Sequence, residues 1–435
     1  MRRPRIVIAG AGFAGFHAAR TLVKLARRAA EIVLVNTTDY FLYLPLLPEV
    51  SAGILDPRRV TVPLTTPLPE VRLILGHADG IDVDRHRLHY TDPDGVAHEI
   101  EYDRLVLSVG SVNKLLPIPG IAEYARGYRG VPEALFLRDH LIREIEMADA
   151  TEDIEQREAR CTFVVVGAGY TGTEVAAHGQ LFTEAIAERH PRLTAQPMRW
   201  MLLDIADRPL PELDPKLSAI ADRVLRSRGI EVRMGTSVKE ATPEGVVLTD
   251  GEMVRTRSLI WCVGVRPDPL VESLGLPTEK GRLVVDEYLT IPGHPEIYAC
   301  GDAAAVPTGD GGVAPMTAQH AVRAGKLVAR NIAASYGQGK RRPYRHTDLG
   351  FVVDLGGAQA AANPFGIPLS GLIAKTVTRG YHLFAMPGNR IRVAADWLLD
   401  ALLPRQAVQL GLIPPQAVPL DRASPETIAT GMPSS

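Results

Sequence analysis

RIVIAGAGFAGFHAAR, residues 5–20, decides the fold. The apolar run Ile6-Val7-Ile8-Ala9 enters Gly10-Ala11-Gly12-Phe13-Ala14-Gly15 and then residues that favour helix. Strand, glycine turn and helix N-terminus in that order make a dinucleotide fingerprint. The first glycine permits the turn, the second lets backbone approach a pyrophosphate, and the third lets helix and strand pack closely. The free amides and dipole at the helix start then favour phosphate. TFVVVGAGYTGTEVAAHG, residues 162–179, repeats the pattern with Gly167, Gly169, Tyr170 and Gly172. After each copy comes a strand with a polar end, and later an apolar strand with a Val-Gly turn, at Gly110 and Gly264. So long a period excludes a solenoid and gives a duplicated dinucleotide-binding unit.

Working outward, 5–36 reads strand, glycine turn, helix, strand, and YDRLVLSVGS (102–111) is another buried strand. ALFLRDHLIREIEMADA (134–150) has apolar residues at helical spacing. RWMLLD (199–204) and SLIWCVGVRP (258–267) are strands of the second unit, and MTAQHAVRAGKLVARNIAASY (316–336) is a closing helix. The expected class is α/β, with two Rossmann-like units and a C-terminal region with amphipathic helices. The proline- and serine-rich end, 414–435, is expected to be disordered.

The polar strand ends are Asn36 and Asp204. Asn36 can accept from an adenosine ribose hydroxyl without charge assistance, and Asp39 is a possible substitute. A carboxylate at 204 favours a free 2′-hydroxyl and repels a 2′-phosphate, which points to NADH; a solvated loop acid is the other reading. Glu174, two residues after the last glycine of the second copy, complements the helix dipole or sits along the path of a nicotinamide. In EIYACGDAAAV, Gly301-Asp302 puts a carboxylate at a strand end, where it suits a flavin ribitol hydroxyl.

With 48 basic and 50 acidic residues, the chain has no field to attract nucleic acid. No uncharged apolar run reaches membrane-spanning length, and MRRPR is followed by no signal-peptide core. Cys161, Cys262 and Cys300 are scattered, which fits buried hydrophobes in a reducing cytosol. No metal-ligand spacing is present.

These motifs resemble the two-dinucleotide-binding-domain flavoproteins of disulfide-reductase-like fold, and within them type II NADH dehydrogenase, a single-subunit, non-proton-pumping NADH:quinone oxidoreductase. The residues that carry it are DYFLYLPLLPEVSAG (39–53), VGAGYTGTE (166–174), LIWCVGVRPDP (259–269), YACGDAA (298–304) and APMTAQHA (314–321). The resemblance implies FAD at the first fingerprint and NADH at the second. It divides the chain into FAD-binding parts at 1–120 and 286–340, an NADH-binding domain at 121–285 and a docking region at 341–413. It implies that Glu174 places the nicotinamide, and that Thr317, Ala318 and Gln319 open a helix facing the flavin and a quinone. After Gln319 the family's further glutamines are replaced by His320-Ala321-Val322-Arg323, a departure that bears on which quinone is used. His320 could donate a proton to a quinone oxygen.

Disulfide reductases need a redox cysteine pair after the first unit, and 40–60 holds no cysteine. A soluble NAD(P)H-dependent flavin reductase with a small organic or protein redox partner, and a flavoprotein switched by NADH binding, are the alternatives. The family docks on membranes through C-terminal helices; here GLIAKTVTRGYHLFA (371–385) and RIRVAADWLLDALLP (390–404) fill that place. Val393, Ala394, Trp397, Leu398 and Leu402 fall near one face, compatible with an interface, the core or a second subunit in a homodimer. Lys375 and Arg379 weaken an anionic-membrane reading. The expected location is cytoplasmic, peripheral on the cytoplasmic face of the membrane.

Overall fold

In a computed structural model that describes residues 3–26, 29–309 and 311–420, the first fingerprint strand, Arg5–Ala9, is central in a six-stranded sheet. It pairs in parallel with Glu31–Asn36 on one side and Arg104–Leu107 on the other. Arg72–Leu75 and His294–Ala299 extend the sheet in parallel on either flank, and Thr290–Ile291 closes one edge antiparallel. Ile6, Val7, Ile8 and Ala9 are all fully buried, as a parallel strand covered on both faces requires.

The second fingerprint strand, Thr162–Val166, repeats this arrangement in an all-parallel five-stranded sheet. Its neighbours are Arg199–Asp204 and Ser258–Trp261, with Glu231–Met234 and Ala125–Gly127 outside them. In both sheets the fingerprint strand therefore lies between the polar-ended strand and the strand of the Val-Gly turn. Each half also carries a three-stranded antiparallel meander, His77–Asp82 to Ala97–Glu101 in the first and Val238–Thr242 to Met253–Arg255 in the second. The duplication thus extends well beyond the glycine motifs.

Helix Ala318–Ser335 returns the chain to the first half by crossing the fingerprint helix, Phe13–Ala26. A Cβ at Gly325 would lie 2.1 Å from the Ala14 carbonyl oxygen, so only glycine allows this approach. Beyond it, Val352–Asp354, Ala360–Ala362 and Leu369–Ser370 form a small antiparallel sheet, followed by helices Gly371–Ala385 and Arg390–Leu402.

The single apolar stripe expected on 390–404 is split in two. Val393 and Trp397, one turn apart, are buried, while Ile391, Leu398 and Leu402 share the opposite, exposed face. On the preceding helix Ala374, Lys375, Thr378 and His382 point inward, and Leu372, Ile373 and Phe384 are exposed. Lys375 and Arg379 therefore do not weaken the outward face: Lys375 is buried, and the Arg379 guanidinium lies 4.8 Å from the Trp397 ring centre. Over 414–420 the tail packs rather than loosens, with Val418 and Leu420 buried, Leu420 among the apolar residues of the second sheet; 421–435 lie outside the described residues. No described helix is long and apolar enough to cross a membrane.

Candidate functional site

The three glycines of each fingerprint have separable roles. Gly10 and Gly167 have φ of +93° and +103°, and a Cβ on them would lie 2.4 Å from the Ser108 oxygen and 2.2 Å from the Cys262 oxygen. The Val-Gly turns of the flanking strands are thus the surfaces that exclude side chains there. A Cβ on Gly15 or Gly172 would lie 1.8 Å from the carbonyl oxygen of Gly10 or Gly167. A Cβ on Gly12 or Gly169 would meet no protein atom within 4 Å. The middle glycines are therefore demanded by something other than the protein's own packing, which fits a pyrophosphate at both turns.

The polar strand ends brace these turns. Asn36 Oδ1 accepts from the Ala11 amide at 2.7 Å, and Asp204 Oδ2 accepts from the Ala168 amide at 2.6 Å. The two contacts are equivalent, so each side chain fixes its own glycine loop. Asp204 Oδ1 takes the Ala206 amide as well. Asn36 Nδ2 donates to the Thr38 carbonyl, the use to which an amide can put its second atom.

On the first side, Gly301 has φ +71° and Asp302 Oδ2 accepts from the Ser111 hydroxyl at 2.6 Å. Ser111 follows Gly110 (φ +84°) directly, so the Gly-Asp turn and the first Val-Gly turn are clasped together. Gly264, φ +85°, marks the corresponding turn of the second half. Phe13 packs edge-on to Phe41 at 5.1 Å, within the segment singled out at 39–53. Thr317 caps the 318–335 helix, its hydroxyl accepting from the His320 amide, and Ala318 is the first helical residue.

A segment read only as a docking region joins the two candidate catalytic residues. Gln319 Nε2 donates to the Gly350 carbonyl at 2.6 Å, the Phe351 ring stacks on Tyr170 at 5.5 Å, and the Asp354 amide donates to Glu174 Oε1 at 2.8 Å. Gln319, Tyr170 and Glu174 are thus attached in order to one short stretch, which ends in the strand Val352–Asp354.

Behind Glu174 lies a buried ionic cluster that sequence reasoning missed. Lys375 Nζ contacts both Asp354 oxygens, at 2.7 and 2.5 Å, and the Trp397 indole donates to Glu49 at 2.5 Å. His178 Nε2 lies 3.3 Å from Asp354 Oδ1 but outside hydrogen-bond geometry. Burial pushes the Glu174 carboxyl well above the ordinary carboxylate range, and burial followed by the Asp354 charge raises Glu49. Asp354 is held low against its own burial by His178 and Lys375. Glu49, His178 and Asp354 offer three ligand atoms within 4.8 Å of one another, yet the Lys375 ammonium already supplies the positive charge there. The four positions are far apart in sequence, so no spacing could have revealed them; the one signal was a carboxylate within the quoted LPEV.

His320 Nδ1 lies 2.7 Å from the Tyr344 hydroxyl, and its ring stacks on His346 at 3.7 Å. Burial, then His346 and Arg323, lower its pKa to about 4, so it is neutral near pH 7 and is no ready proton donor. Burial pushes all three thiols up to about 12, which leaves no reactive thiolate.

Residues 4–325 match the pyridine nucleotide-disulphide oxidoreductase family. The chain is 30% identical over 434 residues to the type II NADH:quinone oxidoreductase Ndh of Mycobacterium tuberculosis, covering 96% of this chain and 92% of the relative. It is also 30% identical to the demethylphylloquinone reductase NdbB of Synechocystis, covering 92% and 97%. In fold it is similar to NDH2 of Plasmodium falciparum solved in complex with NADH, with a TM-score of 0.86 at 16% identity over 94% of this chain and all of that one. The chain therefore belongs to the type II NADH:quinone oxidoreductases, within the pyridine nucleotide-disulphide oxidoreductase family.

Proposed function

We propose that this chain oxidises NADH at the second fingerprint and reduces a quinone at the first half, with FAD resident between them. The observation that carries the reading is the 350–354 stretch, which ties Gln319 on the flavin-side helix to Glu174 on the nicotinamide side. When bound, FAD supplies the acceptor for the hydride of NADH and the donor of two electrons to the quinone.

Gly10, Gly12, Phe13, Ala14 and Gly15 cradle the FAD pyrophosphate, with Asn36 at its ribose and Gly110, Gly301 and Asp302 along the ribitol. Among the described residues Asp302 Oδ1 makes no hydrogen bond within the protein, which suits it to accept from a ribitol hydroxyl. Thr317 and Ala318 present the start of a helix to the pyrimidine edge of the flavin. Gly167, Gly169, Tyr170, Gly172 and Gly264 hold NADH, and Asp204 selects the free 2′-hydroxyl. Glu174, whose carboxyl burial raises well above the ordinary carboxylate range, offers a hydrogen-bonding group beside the nicotinamide. Gln319 orients the quinone from the other end of the same stretch. The outward apolar faces of helices 371–385 and 390–402 contact a membrane, the source of a lipid-soluble quinone, on its cytoplasmic face.

Stopped-flow mixing separates the two half-reactions. Gln319→Ala should leave flavin reduction by NADH unchanged and slow reoxidation by a soluble quinone about tenfold, the scale of one lost hydrogen bond. Unchanged reoxidation would remove Gln319 from the quinone site.

A further inference from the structure

Helix 318–335 runs away from the flavin-side site with Arg323, Lys326 and Arg330 along one side. The following strap lays Arg342 and Arg345 against that side. The Tyr344 side chain is tied to His320, and its amide donates to the Glu287 carbonyl at 2.7 Å. Together they line a cleft of about 480 Å³. Arg20 and Lys24 of the helix packed alongside add to its field. The Lys326 ammonium is lowered by burial and then by Arg330, Arg20, Arg323 and Lys24, all of them cations. Among the described residues, Lys326, Arg330, Arg342 and Arg345 form no ion pair. In a chain of formal net charge −2, such a concentration repels itself and is relieved by an anion.

The surroundings indicate where that anion comes from. Burial raises the Tyr381 hydroxyl of helix 371–385, and the charge of Arg323, which lines the cleft, acts against it. The strap continues to Leu349, whose carbonyl accepts from the Phe365 amide at 3.2 Å. Leu349, Phe365 and Ile367 are exposed, and Leu372 and Ile373 carry the apolar surface onto the outward helix face. A basic cleft whose strap leads within a few residues into exposed apolar side chains matches the two layers of an anionic bilayer surface, headgroup phosphates and acyl boundary. A soluble nucleotide or an acidic protein would not call for the apolar margin.

We propose that this cleft binds phospholipid headgroup phosphates, so that the protein docks on anionic bilayers in preference to neutral ones. The inference rests on the membrane contact proposed above and adds a lipid selectivity to it.

Cosedimentation of the FAD-loaded protein with vesicles tests this, comparing phosphatidylcholine alone with mixtures containing phosphatidylglycerol. Wild type should bind the anionic vesicles more tightly, and the preference should fade with salt. The triple variant Lys326→Gln, Arg330→Gln, Arg342→Gln should lose on the order of a hundredfold in affinity for anionic vesicles, about fivefold per cation. Its binding to phosphatidylcholine and its flavin reduction by NADH should be unchanged. Ile391→Ser with Leu402→Ser should weaken both lipids alike. Equal wild-type binding to both lipids, or a preference that survives the triple substitution, overturns the cleft while leaving the membrane contact standing. Binding to neither vesicle overturns both. Retention of soluble polyglutamate without a vesicle preference assigns the cleft to an acidic protein and also overturns the proposal.

Discussion

A single methyl group at Gly169 separates the tasks of the two fingerprints. Gly169 has φ −73° and ψ −168°, and a Cβ there meets no protein atom within 4 Å. Alanine therefore fits the folded backbone, and its effect on stability should stay within about 1 kcal/mol. At Gly172 the same methyl would lie 1.8 Å from the Gly167 carbonyl oxygen, so Gly172→Ala should not fold. The methyl at 169 occupies the approach of the NADH pyrophosphate. Losing two charge-assisted amide contacts at about 1.5–3 kcal/mol each weakens NADH binding by roughly a hundredfold to ten-thousandfold. The assay is the rate of flavin reduction against NADH concentration in stopped flow. The expected Gly169→Ala enzyme retains its FAD, saturates only at far higher NADH and is reoxidised normally by a soluble quinone. Gly12→Ala, also free of protein contact, should instead lose FAD during purification. A Gly169→Ala enzyme that loses FAD, or saturates with NADH as wild type does, would refute the assignment of the two halves.

Two further outcomes follow from side chains at the same site. Asp204→Asn keeps an oxygen for the Ala168 amide, the arrangement Asn36 already makes with Ala11, while removing the charge that repels a 2′-phosphate. The NADPH-to-NADH ratio of kcat/KM should rise about tenfold, and an unchanged ratio removes Asp204 from cofactor selection. Glu49 has its carboxyl raised in the folded protein, so above the ordinary glutamate range the unfolded chain loses a proton that the folded one keeps. Stability from this group is complete at low pH and falls by about 1.4 kcal/mol per pH unit as pH rises toward the folded value. Glu49→Gln cannot titrate, so its melting temperature relative to wild type should climb as pH rises above the ordinary glutamate range; a constant difference would show that Glu49 is ionised in the fold.

The parts of this site legible in the sequence were those written in local periods. Glycine spacing after an apolar strand, the polar residue ending the next strand, and apolar residues at helical spacing over 371–385 and 390–404 each depend on neighbours a few residues away. The outward and inward faces of the last helix were not separable, because Val393 and Leu398 are equally apolar and only packing against Glu49 distinguishes the inner seam. Nothing local in the sequence marks Lys375 as buried, because lysine is rarely buried unpaired. Its partner, Asp354, sits at the end of a strand in a separate element, in a relation set by tertiary packing. The 350–354 stretch escaped notice for the same reason: it reaches Gln319 and Glu174 largely through its backbone, which any sequence could supply.

That cluster changes what a C-terminal deletion can report. Glu49 comes from the first half, Glu174 and His178 from the second, and Asp354, Lys375 and Trp397 from the last part of the chain. Cutting the chain after Tyr344 would take away the Trp397 indole from Glu49, the Asp354 amide from Glu174 and the cover over His178. Each buried polar group left without its hydrogen-bond partner costs about 1–3 kcal/mol, and the deletion strands several at once. Loss of membrane binding in such a protein would follow from loss of the folded site as readily as from loss of a docking face. Ile391 and Leu402 point outward, away from the buried seam of Val393 and Trp397. Substitutions there alter the surface while the ionic cluster keeps its partners, and docking and catalysis can then be measured apart in one intact enzyme.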